Sequence, residues 1–166
     1  MINKGGDWDR RNRLKTYEGI FLISNRKFAE AADLLLDTLG TFTSVELMDY
    51  KDFVRYAIIT GALTLSRPDI KAKIIEAPEV LEVIHQLPHL SEYSNSFYNC
   101  EYAKFFRALA EVEISLKHDH ILFQHYRYYA REMRIRAYGQ ILESYRSLSI
   151  DSMATSFGVS KEWIDK

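Results

Sequence analysis

The sequence predicts an all-α fold: a right-handed helical-repeat solenoid followed by a partial winged helix. Three observations carry that expectation. Only 7 Gly and 3 Pro punctuate 166 residues, too few turn formers for a β-rich chain, so the elements must be few and long. Apolar residues recur at spacings of three and four through most of the chain, the period of a helix with one buried face. And the stretch around Tyr102 repeats the pattern around Phe28, 74 positions earlier.

Composition narrows the class. Hydrophobic residues at 47% and charged residues at 27% are ordinary for a chain that buries a core. A single cysteine, Cys100, excludes an internal disulfide and a Cys-based zinc cluster and fits a reducing compartment. No apolar run approaches the roughly 20 residues of a membrane span, and the start Met1-Ile2-Asn3-Lys4 carries no apolar leader core. Charge is uneven. Residues 1–27 hold seven positive and three negative side chains, residues 28–124 eight and fifteen, and residues 125–166 seven and five. An acidic middle between basic ends argues against one nucleic-acid face and suits oppositely charged neighbours docking on different patches.

Gly5-Gly6 reads as a lead-in, with Asp7 or Asp9 capping a helix from Trp8 to Ser24 whose apolar positions are Leu14, Tyr17, Phe21 and Leu22. Asn25-Arg26-Lys27 breaks it. A second helix runs from Phe28 to about Leu39, with Gly40 at its expected C-terminal cap. Gly19, Leu22, Phe28, Ala31 and Leu35 fit the alternation of small and large residues in a tetratricopeptide-like hairpin, where small residues let two helices approach. Ser44 is a candidate cap for a helix from Val45 to Leu65, ended by Arg67-Pro68-Asp69. Short helices are expected over Asp69–Ile75 and Pro78–Gln86, with Pro78 in a first turn. Leu90 to Tyr98 reads as helical, and Asn99-Cys100-Glu101-Tyr102 opens a second hairpin in the register of Asn25-Arg26-Lys27-Phe28. The 74-residue offset has room for two hairpin repeats. The longest amphipathic helix spans His125–Tyr145, with Tyr126, Ala130, Met133, Ala137, Ile141 and Tyr145 on one face and Arg127, Arg131 and Arg134 on another. Beyond it, Leu148-Ser149-Ile150 is a short β-like run. Asp151–Phe157 reads as a helix, Gly158-Val159 as a turn, and Ser160 as the cap of a helix that includes Trp163. The division that follows is helical repeats over 1–122 and a long helix with a truncated winged-helix part over 123–166.

No catalytic constellation assembles. The terminal helix offers Lys161 and Lys166 against Glu162 and Asp165, a poor reader of a major groove. His118-Asp119-His120 with His125 lacks the ligand spacing of a zinc site and reads as a polar loop. Cys100 lies in a turn with no base at hand, and no phosphate-binding glycine loop is present. We therefore expect no enzyme activity, no cofactor, no metal and no small-molecule substrate. The arginines and tyrosines of the long helix suit a protein contact better than RNA. A winged-helix nucleic-acid-binding module is the alternative of a different class.

A helical repeat leading into a winged helix resembles the PCI domains of the proteasome lid, the COP9 signalosome and a translation initiation factor. The stretches Gly6-Asp7-Trp8-Asp9-Arg10-Arg11-Asn12-Arg13-Leu14-Lys15, Glu46-Leu47-Met48-Asp49-Tyr50-Lys51, His125-Tyr126-Arg127-Tyr128-Tyr129, Arg131-Glu132-Met133-Arg134-Ile135 and Phe157-Gly158-Val159 look like a lid member of that family. The resemblance covers nearly the whole chain. It implies a non-catalytic scaffold of the proteasome regulatory particle, cytoplasmic and nuclear, whose partners are other PCI-domain lid subunits in ubiquitin-dependent degradation. The rival within the family is a scaffold of the signalosome or of translation initiation. The contact residues expected are Tyr128, Arg131, Arg134, Arg136 and the face around Trp163. Family chains continue past the equivalent of Lys166 into a completed recognition helix, a wing and a long helix. The present chain therefore reads as an excised segment, with a C-terminus expected to fray, rearrange or self-associate by exchange with a second copy.

Overall fold

The computed structural model describes residues 4–144 together with 155, 156 and 158. Its helices are α1 (Lys4–Ser24), α2 (Phe28–Thr38), α3 (Tyr50–Thr64), α4 (Arg67–Ile70), α5 (Pro78–Leu81), α6 (Pro88–Tyr98), α7 (Tyr102–Lys117) and α8 (Tyr126–Ser144). The described residues form no strand, and the fold is all-α. The β-like run at Leu148–Ile150, the helix at Ser160 and the expected C-terminal rearrangement lie outside the described residues. Thr155 and Ser156 are helical, and Gly158 takes the turn, with φ 65°.

The pairs α1/α2 and α6/α7 are helix hairpins, and α3 packs on α2 while touching α6 and α8. The two hairpins turn alike. Arg26 and Cys100, at equivalent positions, both adopt the left-handed conformation, with φ 61° and 60°. The next residues also match: φ −88°, ψ 63° at Lys27 and φ −85°, ψ 69° at Glu101. The Arg26 and Lys27 N–H groups donate to Ile23 O and Leu22 O at 3.0 and 2.9 Å. Cys100 and Glu101 donate to Phe97 O and Ser96 O at 3.3 and 2.9 Å. Both are Schellman closures, which normally take Gly at the left-handed position. After each turn an aromatic ring, Phe28 or Tyr102, plugs into the core.

Within the first hairpin Gly19 faces Leu35 so closely that a Cβ there would stand 2.7 Å from Leu35 Cδ2. The tetratricopeptide-like set is buried as expected, with Leu22, Phe28, Ala31 and Leu35 in one core. The second hairpin uses rings instead: Tyr93 stacks on Phe105 at 5.3 Å and Phe97 lies 5.1 Å from the same ring.

Several boundaries differ from the sequence reading. Helix α1 begins by Lys4, so Gly5-Gly6 are helical rather than a lead-in. Asp7 and Asp9 do not cap it. They reach forward to Arg11 (2.7 Å) and Arg13 (3.1 Å) as helical i, i+4 pairs. The core face of α1 is Asn12, Thr16, Gly19, Leu22 and Ile23, while Leu14, Tyr17 and Phe21 are exposed. The small residues allow the close approach to α2 and the bulky ones are turned out.

Gly40 is not a left-handed cap, because α2 tightens into a 3-10 turn over Leu39–Thr41. Ser44 is not a cap: its hydroxyl is buried without a partner among the described residues, and its carbonyl accepts from Leu47 and Met48 in a turn. The third helix therefore starts at Tyr50 instead of Val45. Arg67-Pro68-Asp69 does not follow a helix as a plain break. It opens α4, where Ser66 Oγ accepts from the Asp69 N–H at 3.3 Å. Lys71–Ile75 is a π turn, and the expected helix from Pro78 to Gln86 splits into α5 and a 3-10 turn at Ile84–Gln86. Among the described residues no helix is long and apolar enough to cross a membrane.

Candidate functional site

Helix α8 carries four of the five expected contact residues. Its inner face, Tyr129, Ala130, Met133, Ala137 and Ile141, is buried. The Tyr129 hydroxyl donates to Ile59 O at 2.9 Å and pairs with the Tyr93 hydroxyl at 2.7 Å. Burial pushes the pKa of both phenols up, so they stay neutral donors. Through these bonds α8 is fastened to α3 and α6.

Its start and its middle are fastened by charge. At the start, the buried His125 donates from Nε2 to Ser24 O at 3.0 Å, and its Nδ1 accepts from Arg26 Nε at 3.3 Å. The Arg26 guanidinium also lies 4.5 Å from the centre of the Tyr128 ring, which leans on Phe28 at 6.1 Å. Further along, Arg136 donates to Ala62 O at 2.8 Å and to Leu65 O at the C-terminal end of α3, with its guanidinium 5.2 Å from the Phe97 ring. A cation there meets the negative end of the helix dipole. Burial lowers the arginine pKa, and the guanidinium stays charged all the same.

The five residues therefore fall into different settings. Tyr128 is half-buried, flanked by Arg26 and by Arg131 at 5.6 Å. Arg131 is exposed and pairs with Glu132 at 3.1 Å. Arg134 is half-exposed and pairs with Glu113 of α7 at 3.2 Å. Arg136 faces inward and serves α3. Trp163 lies outside the described residues.

Sequence reasoning passed over two exposed apolar residues on the same helix, Ile135 at 54% and Leu142 at 59%. Arg131, Ile135, Tyr138 and Leu142 are spaced four, three and four apart, which places them on one stripe. That stripe is roughly opposite the buried residues. The spacing is visible in the sequence, but Leu142 adjoins the core residue Ile141, and only the packing decides which of the two is turned out. An exposed stripe of one arginine, two aliphatic residues and a half-buried tyrosine has the composition of a protein contact.

The groups weighed for chemistry are occupied otherwise. Asp119 is buried, accepting from Arg55, from the Tyr56 hydroxyl at 2.8 Å and from the Ile121 and Leu122 N–H groups at 2.8 Å each. Burial alone would raise its pKa, but these donors hold the carboxyl below 3.8. His118 Nδ1 bonds Ile114 O at 2.9 Å. Among the described residues no three His, Cys, Asp or Glu side chains are placed to hold a metal. Cys100 Sγ contacts Gln140 Nε2 at 3.8 Å and Tyr98 O at 4.0 Å, and neither group is a base.

Comparison with known proteins gives the family. The pattern of the 26S proteasome subunit RPN7 matches residues 1–73, and that of the PCI domain matches residues 109–166. The 26S proteasome regulatory subunit rpn7 of Schizosaccharomyces pombe is 59% identical over all of this chain and 43% of its own length. The 26S proteasome non-ATPase regulatory subunit 6 of Dictyostelium discoideum is 50% identical over all of this chain and 44% of its own. The COP9 signalosome complex subunit 1 of Arabidopsis thaliana is only 24% identical over 93% of the chain and 35% of its own. The chain thus spans less than half the length of these relatives. It belongs, from end to end, to the PCI-domain family of 26S proteasome non-ATPase regulatory subunit 6, also named Rpn7.

Proposed function

We propose that the chain is a non-catalytic scaffold of the proteasome regulatory-particle lid, holding other PCI-domain subunits in place for ubiquitin-dependent degradation in cytoplasm and nucleus. In this reading residues 1–122 form the repeat arm and residues 123–166 belong to the PCI module. The observation that carries it is the two-faced α8. One face is locked into both hairpins, and the other presents Arg131, Ile135 and Leu142 to solvent. The names of the relatives support it, since they are called regulatory and non-ATPase subunits. Glu132 and Glu113 partly neutralise the α8 arginines, which disfavours a phosphate-binding surface.

The test is co-expression of the full chain with individual lid subunits, followed by affinity purification. Lid subunits should co-purify with the unaltered chain. Combining Arg131→Glu with Ile135→Asp should reduce recovery about tenfold or more, as loss of a central anchor does, while leaving thermal unfolding within about 1 kcal/mol, as expected of exposed sites. Equal recovery by this variant removes α8 from the interface, and recovery of signalosome subunits instead would move the chain to that assembly.

A further inference from the structure

We propose that a second surface, the cleft between α2 and the 71–79 segment, docks a basic amphipathic helix of a partner protein. The cleft shares no residue with the α8 surface. Its floor is apolar, made by Leu34, Leu36 and Leu39 on one side and Ala77 on the other. Its rim is acidic. Among the described residues, Glu18, Glu30, Asp33, Asp37 and Glu79 line it against a single cation, Lys73. Asp37 and Glu30 have exposed lysine partners, Lys15 at 3.1 Å and Lys27 at 3.4 Å. Glu18, Asp33 and Glu79 form no ion pair among the described residues.

Charge and shape select the occupant. Carboxylates on the rim repel phosphates, which excludes nucleic acid and an anionic bilayer. An apolar floor gives nothing to a lone cation, so the ligand must bring hydrophobic side chains and positive charge together. Glu30, Asp33 and Asp37 are spaced three and four apart on α2, a stripe about 10 Å long at 1.5 Å per residue. A helix laid alongside can match it with Lys or Arg at i, i+3 and i+7 while its leucines enter the floor, the helix-in-groove mode. The acidic middle of the chain, eight positive against fifteen negative side chains over 28–124, adds a long-range field of the same sign.

The probe is a synthetic helix of about three turns, with Leu at i, i+3, i+4 and i+7 and Lys or Arg elsewhere. Its binding to the full chain is followed by fluorescence anisotropy. The expected result is saturable one-site binding that weakens as salt rises. Glu30→Lys with Asp33→Lys should weaken it about tenfold or more, the scale of two reversed rim charges. A peptide with its leucines changed to serine should bind at least about a hundredfold more weakly, since four buried side chains are lost. The control reversal Glu92→Lys with Glu111→Lys, on α6 and α7 outside the cleft, should change little. Should the charge-reversed chain not fold, hydrogen exchange on the unaltered chain decides: the peptide should slow amides over 30–39 and 72–79. Unsaturable binding, equal loss in the control, equal binding of the serine peptide or protection elsewhere would each overturn the proposal.

Discussion

Replacing Asp119 by alanine should cost about 3 kcal/mol, the amount seen when one member of a buried ion pair is removed. The number is built from what the carboxylate does. It accepts from the Arg55 guanidinium, from the Tyr56 hydroxyl and from two backbone N–H groups that open the turn at Leu122–Gln124. Arg55 is then left with Asp52 at 3.7 Å, and Asp52 is itself 41% exposed. Two backbone N–H groups, one buried and one half-buried, lose their cap at about 1 kcal/mol each, and the rest comes from the stranded cation. These terms overlap, so they sum to less than their separate values.

Urea unfolding at neutral pH measures the loss, and thermal unfolding should show a fall in Tm of about 6–12 °C for a chain of this size. Asp119→Asn keeps an acceptor for the two N–H groups and should lose only about half as much. The pH dependence has a definite sign. The folded carboxyl sits below 3.8, so its contribution is complete above that value and disappears as pH falls through the depressed folded pKa. The difference between wild type and Asp119→Asn should therefore narrow in acid. A cycle with Arg55→Met tests the pairing, since the double variant should lose clearly less than the sum. A cost below about 1 kcal/mol for Asp119→Ala, or strict additivity with Arg55→Met, would refute the reasoning.

Two further outcomes follow from the same packing. Arg136→Met keeps the stem but strips two donors from the end of α3, and should cost about 2 kcal/mol in urea unfolding, the worth of hydrogen bonds to a charged group. Cys100→Gly should be neutral or stabilising by up to about 1 kcal/mol, because it relieves a left-handed residue with little to lose. Arg26→Gly, at the same backbone geometry, should instead destabilise by about 1 kcal/mol or more through the lost contacts to His125 and Tyr128.

Periodicity made the helices legible wherever an element was long and packed on one side, as in α2, α6 and α7. The 74-residue echo was legible to the level of backbone angle, since Asn25-Arg26 and Asn99-Cys100 close their hairpins identically. What failed were places where apolar residues do not face the core. In α1, Leu14 and Phe21 carry the apolar signal yet are 66% exposed, while Asn12 and Thr16 are buried. A glycine-based approach to Leu35 selects that face, and hydrophobic spacing carries no record of it. Between 65 and 87 the chain changes among α, π and 3-10 turns within a few residues, too briefly for a period to develop. Asp119 was misplaced in meaning rather than position. The polar loop read at His118-Asp119-His120 carries no local sign of the partner that matters, Arg55, 64 residues away.

The α8 arginines show why composition alone could not separate a role in the fold from the proposed contact role. Arg131 and Arg136 are five residues apart, about 140° around the helix. One ends in solvent beside Glu132 and the other on the carbonyls of α3. In sequence both are basic residues on one helix, Arg131 between Ala130 and Glu132 and Arg136 between Ile135 and Ala137. The contrast matters for any assembly experiment. A substitution at Arg136 would weaken complex formation by loosening the seat of α8, and a substitution at Arg131 by removing a contact. Both would reduce recovery, and only the unfolding measurement tells them apart. A surface reading of α8 therefore requires that Arg131→Glu reduce recovery without lowering stability, and that Arg136→Met do both together.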